Sequence, residues 1–407
     1  MKLKSWVSSA NSDSDFPIQN LPYGVFQGQG EARMGVAIGD FVLDVPKVDH
    51  GLDAGLFRHP SWNAVMAAGP EVWAALRSRL TELLSDETYR ASVEPHLVPM
   101  QDVRLLMPFT VTEYTDFYAA KNHVMNVGTI FRGAENALPP NWLSIPVGYN
   151  GRASSVVVSG TEVVRPWGQV KGPDDELPRF APSARFDLEL EIGAIVGQPS
   201  QGMITVAEAD EMIFGYVLLN DWSARDIQSW EYQPLGPFQS KATATTISPW
   251  IVTKAALEPF RVPAPERDRP LLPYLAELGP MFYDITLEIT LTPDGGQENV
   301  ISRTNASELY YSSAQQLAHH TSCGCPMRVG DLLGSGTISG PQKDSRGSML
   351  EMSWGGKEPL VLANGDTRTF LEDGDVLTLR GAAKASDYRI GFGQCTGRIR
   401  PAAALRS

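Results

Sequence analysis

Residues 185–192 read RFDLELEI, alternating charged and apolar side chains without a break. On an extended chain successive side chains point to opposite faces, so Phe186, Leu188, Leu190 and Ile192 take one face and Asp187, Glu189 and Glu191 the other. Same-face neighbours on a strand stand roughly 6 to 7 Å apart, and carboxylates at that spacing repel unless water or a cation lies between them. Two readings stay open on alternation alone. The row is either a solvated outer face, as in DITLEITLT at 284–292, where Asp284 and Glu288 alternate with threonines, or one wall of a site for a hard divalent cation.

The second reading needs ligands from elsewhere. Asp221 follows the apolar run VLLN, where a buried strand reaches the surface of the fold; taken alone it reads as a strand-end or helix N-cap aspartate, since WSARDIQSWEY after it can begin a helix. Asp116 is the other acid outside the obvious solvent faces. If these acids converge, the site is oxygen-only and suits Mg²⁺ or Ca²⁺, because zinc or copper would favour imidazoles and thiolates.

The chain has 407 residues, enough for two or three domains, and 43% hydrophobic with 20% charged residues marks a folded protein. A net charge of −13 and a pI near 5.0 argue against a phosphate backbone as partner, which needs clustered Lys and Arg. The N-terminus MKLKSWVSSANSDSDF lacks an apolar core after its lysines, and no stretch approaches the roughly 20 apolar residues of a membrane span. A cytoplasmic protein is expected. Cys323, Cys325 and Cys395 form no CxxC pair and are read as reduced thiols; the adjacent His319 and His320 point apart and are read as structural.

Gly69-Pro70 marks a helix start, with Trp73, Leu76, Leu80, Leu83 and Leu84 at helical spacing behind it. EPHLVPMQDVRLLMPF, 94–109, carries prolines and no sustained period, and is read as the boundary between an N-terminal domain, 1–108, and a larger one, 109–407. Beyond it, short runs broken by PVGYNGRASS, VGQPSQG and LTPDGGQEN have the punctuation of a β-rich fold, with one helix signalled by the capping-box spacing Thr205 to Glu208. GSGTISG does not fit GxGxxG, and neither GxxxxGK[ST], GxSxG nor HExxH occurs.

DFYAAKNHVMNVGTIFR, 116–132, gathers an aspartate, a tyrosine, a histidine and an arginine. Together with DFPIQNLPYGVF, WLSIPVGYNGRASSVVVSGT, FDLELEIG, LLNDWSARDIQSWEYQPLGPFQSKATATTISPW, GSGTISGP and GSMLEMSW, it resembles the fumarylacetoacetate hydrolase family in its full-length, two-domain form. The likeness runs along nearly the whole chain. It implies a mainly β fold with some α: a small SH3-like β-barrel N-terminal domain, then a β-roll catalytic domain, assembled as a homodimer. The implied activity is cleavage of 4-fumarylacetoacetate to fumarate and acetoacetate, the last step of tyrosine and phenylalanine catabolism.

The resemblance further assigns Asp116, Glu189, Glu191 and Asp221 to a bound Mg²⁺ or Ca²⁺, with Lys241 and Thr245 beside it. An ammonium has no lone pair, so Lys241 could serve the metal only through its backbone oxygen or an outer contact. His123 matches the family's general base and Glu351 the carboxylate that orients it; Arg225, Gln228 and Lys241 match the oxyanion donors. Tyr118, Arg132, Tyr149, Gln228, Tyr232 and Thr337 fall on substrate-contacting positions. One departure is Ala119-Ala120-Lys121-Asn122, where the family is richer in serine and has an arginine; lysine keeps the charge but not the planar fork. The rival readings are an acylpyruvate hydrolase, decarboxylase or hydratase of the same superfamily, and a non-catalytic metal-binding protein on the same fold.

Overall fold

The computed structural model describes residues 3–405. Its N-terminal part is a five-stranded antiparallel sheet, in the spatial order Leu97–Pro99, Phe41–Asp44, Arg33–Ile38, Tyr23–Gln27, Arg104–Leu106. Both outer strands come from the stretch 94–109 that the sequence reads as a connection; at three residues each they are too short to show a period. Over this sheet lies the helix Pro70–Ser85. Gly69 enters it at φ +96°, Pro70 is pre-set for the first turn, and Leu76, Leu80, Leu83 and Leu84 are buried. Each such side chain contributes about 1.5–3 kcal/mol through burial.

The larger part is built on two sheets. The first runs Gly148–Asn150, Tyr114–Phe117, Leu332–Gly334, Leu190–Val196, Ile213–Asp221, Thr245–Ile247, Val156–Val158, with Val252–Thr253 paired to the start of Ile213–Asp221. The second runs Asn299–Asn305, Thr286–Thr292, Val376–Lys384, Arg389–Arg400, Val163–Val164. Leu190, Ile192 and Leu218 pack into one core with Leu287, Leu379 and Phe392 of the second sheet. Ile195, Val217 and Leu219 pack into another with Val25, Leu43 and Leu76 of the N-terminal part. The central strands are therefore covered on both faces, and the whole is mainly β with some α, as the resemblance implies.

That double cover overturns the solvated-face reading of RFDLELEI: every residue from Phe186 to Val196 is buried. Nor do the three acids form one row. The strand Phe186–Asp187 pairs with Ser223–Ala224, pairing lapses at Leu188-Glu189, and Leu190–Val196 then pairs with Ile213–Asp221. In DITLEITLT, Leu287, Ile289 and Leu291 are buried and Glu288 meets Arg303 and Arg380, but Thr290 on the outward face is buried too, its hydroxyl donating to Glu298 at 2.7 Å. The Thr205 capping box is formed and starts the helix Val206–Met212.

The two parts meet at a seam without room for a side chain. Tyr23 and Ile251 exchange backbone hydrogen bonds of 2.9 and 2.7 Å, and a Cβ on Gly24 would lie 2.5 Å from the Trp250 ring. Gly24→Val must therefore push the strand off Trp250, at a cost of about 1–3 kcal/mol. Thermal unfolding should show a lowered midpoint; an unchanged one would mean that the seam bears no load.

Candidate active site with a metal centre

The carboxylates come together because three strand ends stop at one edge of the sheet. Asp116 lies in the parallel pair with Leu332–Gly334, directly opposite Gly334; Glu191 lies near the start of its strand opposite Leu219, and Asp221 ends its strand opposite Thr245. Glu189 sits in the unpaired break. Ligand atoms of Asp116, Glu189, Glu191 and Asp221 all lie within 4.8 Å of one another, and all four residues are buried. Asp221 is a strand end; the residue before the helix Arg225–Glu231 is Ala224, which makes no side-chain cap.

Gly334 makes this convergence possible. A Cβ there would stand 2.9 Å from both Asp116 Oδ1 and Glu191 Oε2 and 3.1 Å from the Tyr114 hydroxyl. Around the acids, the Gly336 N–H donates to Glu191 Oε2 at 2.9 Å, and the Tyr149 hydroxyl lies 2.8 Å from Asp116 Oδ2 and 3.2 Å from Asp221 Oδ2. The Lys241 ammonium donates to Glu189 and to Asp221 Oδ2 (2.7 Å), and the Thr245 hydroxyl to Asp221 Oδ1 at 3.3 Å. Lys241 thus meets the acid group through its side chain. Gly334 and Tyr114 are additions to the sequence reading; a glycine whose need is a neighbour's bulk leaves no local pattern.

The electrostatics call for a cation. Burial, then repulsion from Asp221, pushes the Asp116 carboxyl well above the carboxylate range; burial, then Asp116 and Asp221, does the same to Glu191. Glu189 goes the other way: burial would raise it, but Lys241, Arg225 and His123 together hold it low. Asp116 Oδ1 and Glu191 Oε1 are buried without a hydrogen-bond partner, a costly state for a carboxylate oxygen. An oxygen-only donor set with orphaned buried oxygens fits a hard divalent cation.

His123 is carried by the helix Lys121–Arg132 and is buried. Its Nδ1 lies 2.7 Å from Glu351 Oε2, and its Nε2 3.8 Å from Glu189 Oε1. Glu351, on the short helix Met349–Met352, is held on all sides: Oε2 also accepts from Ser348 (2.7 Å) and Ser339 (3.0 Å), and Oε1 accepts from Asn126 (2.9 Å). Burial would raise this carboxyl, but the charge and hydrogen bond of His123, with Asn126 and Ser348, bring it below the ordinary range. A carboxylate at Nδ1 fixes that nitrogen as the donor and leaves Nε2 to receive a proton. Asn126, Ser339 and Ser348 were not read from the sequence; Asn126 alone left a signal there, one helical turn beyond His123.

The Ala119–Asn122 departure has a packing role. The Ala119 N–H donates to Ser335 O, Tyr310 N–H to Ala119 O, and Ala120 forms a β-bridge with Leu309. Asn122 donates to Ser339 O and Glu308, and Lys121 reaches both oxygens of Asp268. Buried alanines thus let the chain pass closely beneath its neighbours, and a charge at position 121 is used without need of a fork.

A cavity of about 460 Å³ opens over His123, and every substrate position implied by the resemblance lines it: Tyr118, Arg132, Tyr149, Gln228, Tyr232 and Thr337. The Thr337 hydroxyl is buried without a partner. Tyr118 sets its ring edge-on to His123, centroids 5.3 Å apart. Arg132 donates to the backbone oxygens of Asn136 and Ala137, which fixes its guanidinium at the rim. Arg225 and Lys241 also line the cavity, whereas Glu191, Asp221, Thr245 and Glu351 stand behind its wall. Arg225 pairs with Glu189 at 2.7 Å and donates to Gln228 Oε1 at 3.1 Å.

A nitrogen base beside a buried oxygen centre for a hard cation, with fixed cationic donors between, is the division of labour of a metal-assisted hydrolase. Residues 112–400 match the family model described as fumarylacetoacetate hydrolase C-terminal and residues 19–108 that described as fumarylacetoacetase N-terminal, so the chain belongs to the fumarylacetoacetate hydrolase family. It is 49% identical to fumarylacetoacetase of Arabidopsis thaliana, over 98% of this chain and 99% of the relative. It is 47% identical to that of Homo sapiens, over 96% and 97%. The solved fumarylacetoacetate hydrolase of psychrophilic Exiguobacterium antarcticum superposes with a TM-score of 0.55 at 18% identity, covering 94% of this chain and 99% of that one, a likeness of fold.

Two outcomes follow from the acid cluster. Mg²⁺ or Ca²⁺ at roughly a hundredfold excess over Kd should stabilise chelator-treated protein by about 2.7 kcal/mol, and Glu191→Gln should weaken the response. Thermal unfolding with and without the ion reads this, and equal midpoints for the wild type would count against a metal centre. Gly334→Ala should lower ion affinity by about tenfold or more, since its methyl crowds two ligands at a cost of about 1–3 kcal/mol; ion titration by calorimetry checks it.

Proposed function

We propose that the chain hydrolyses the carbon–carbon bond of 4-fumarylacetoacetate, giving fumarate and acetoacetate, the last step of tyrosine and phenylalanine catabolism. The observation that carries this reading is similarity to fumarylacetoacetases over nearly the whole chain, in both matched regions, with the His123–Glu351 pair and the acid cluster at one cavity. The wider reading as a superfamily hydrolase for acylpyruvates does not explain the match over residues 19–108.

In the reaction, His123 Nε2 takes a proton from water while Glu351 holds Nδ1 and stabilises the imidazolium. The hydroxide attacks the carbonyl next to the fumaryl group, and N–H donors of Arg225, Gln228 and Lys241 face the developing oxyanion. Collapse of the tetrahedral adduct breaks the carbon–carbon bond, and the proton held at Nε2 is available to the departing carbon. Asp116, Glu189, Glu191 and Asp221, with Thr245 behind them, would hold a Mg²⁺ or Ca²⁺, which would supply Lewis-acid stabilisation of developing negative charge. Arg132 pairs with a substrate carboxylate, and Tyr118, Tyr149, Tyr232 and Thr337 fix the diacid by their hydroxyls. Lys241 is held by Glu189 and Asp221, and Arg225 by Glu189 and Asp187, which fixes both cations beside the site of the oxyanion.

In this proposal residues 1–108 are a supporting domain, residues 109–407 the catalytic one, and two copies form a homodimer. A cytoplasmic site of action accords with three cysteines that form no disulfide. Among the described residues no helix is long and apolar enough to cross a membrane.

Purified protein with Mg²⁺ or Ca²⁺ should bleach the conjugated diketone absorbance of fumarylacetoacetate, and His123→Ala should lower kcat by about 10²-fold or more, the scale of a general base. Turnover of an acylpyruvate with fumarylacetoacetate left intact would overturn the substrate assignment. Near-normal turnover by His123→Ala would remove His123 from the proton transfer.

A further inference from the structure

The first acid of RFDLELEI takes no part in the metal cluster, yet it is fully buried and its carboxylate receives four donors. Asp187 Oδ1 accepts from the Leu188 N–H at 2.8 Å and the Met349 N–H at 2.7 Å; Oδ2 accepts from Arg225 Nε at 2.8 Å and the Leu350 N–H at 3.0 Å. Met349 and Leu350 open the short helix that carries Glu351, and Ser348, just before it, donates to Glu351 Oε2. Arg225, on the other side, reaches Glu189 and Gln228. One carboxylate therefore joins the backbone that aims the His123–Glu351 pair to the guanidinium that faces the oxyanion.

We propose that Asp187 is a positioning residue: it sets Arg225 and the Met349–Met352 turn at a fixed separation, so that the water-activating and oxyanion-binding groups act on the same carbonyl. This rests on the reaction proposed above. The physical reason is that both sides need the same group. Arg225 is carried near the start of the helix Arg225–Glu231, and its side chain needs an anion that is not a metal ligand to hold the fork in one plane, because Glu189 is shared with Lys241 and faces the acid cluster. The Met349–Met352 helix is only one turn long and needs an acceptor for its first N–H groups. A neutral amide cannot do both, since its NH₂ end would face donors. The lapse in pairing at Leu188-Glu189 lets Asp187 turn from the metal side to this junction while Glu189 and Glu191 stay with the cluster.

The test is Asp187→Asn in the full-length, metal-loaded protein, with rates expressed per folded, ion-binding molecule. The expected result is kcat lower by about 10- to 100-fold, as for partners that orient catalytic groups, with KM and Ca²⁺ affinity within about twofold of wild type. Combined with Glu351→Gln, the Asn substitution should cost distinctly less than it does alone, because both act through one unit. Should Asp187→Asn not fold, Met349→Pro removes the N–H that Oδ1 accepts at a first-turn position where proline is tolerated, and the same split of kcat from KM is expected. A lowered melting temperature with unchanged kcat, a fall in ion affinity that accounts for the loss, or full additivity with Glu351→Gln overturns the proposal. Wild-type protein inert towards fumarylacetoacetate would instead refute the reaction on which it rests.

Discussion

Taking several carboxylates out of water at one point costs on the order of several kcal/mol per ion unless opposite charge goes with them. Here Asp116, Glu189, Glu191 and Asp221 are all buried where strand ends meet at one edge of the sheet, which strips most of their hydration. The surrounding structure can be understood as a response. Gly334 keeps the space between the strand ends clear, Gly336 and Tyr149 donate to the rim of the cluster, and Lys241 and Arg225 bring ammonium and guanidinium to Glu189. Asp116 Oδ1 and Glu191 Oε1 remain without partners, and these oxygens most need a cation.

The same burial gives the chemistry its strength. Donors fixed by burial, as Arg225 and Lys241 are, act on developing charge at lower effective dielectric than in water and need no reorganisation as the charge appears. His123 belongs to that preorganised set because Glu351, Asn126 and two serines hold its ring and partner, while the helix beneath it is pinned through Ala119, Ala120, Lys121 and Asn122. The cation centre and the base thus arise from different strands and helices but share one wall, Glu189, which lies 3.8 Å from His123 Nε2.

What the sequence showed and what it hid divide along physical lines. The helix after Gly69-Pro70 and the Thr205 capping box were legible because their signals are local. The acids of RFDLELEI were legible as a repelling set, but alternation could not tell a buried strand from a solvated one, because burial depends on what packs over the face. The lapse at Leu188-Glu189, which sends Asp187 to Arg225 and Glu189 to the cluster, has no composition cue. The short strands 97–99 and 104–106 lacked a period for the same reason of length. The pairing of His123 with Glu351 became readable only through a family resemblance, and the convergence of Asp116 with Asp221 could be read from the residues only as a condition, since these meetings depend on tertiary placement across more than a hundred residues. Gly334, Ser339 and Ser348 owe their importance to neighbours in space and leave no pattern along the chain, whereas Asn126 shows only as a polar residue one helical turn beyond His123.

The central claim is that the buried acids form a single divalent-cation centre next to His123. Anomalous diffraction from crystals equilibrated with Mn²⁺ tests it most directly. One strong peak per chain among Asp116, Glu189, Glu191 and Asp221, absent from crystals of Glu191→Gln, is the result expected. An empty cluster in crystals of active, Mn²⁺-supported enzyme, or a peak elsewhere on the chain, would contradict it.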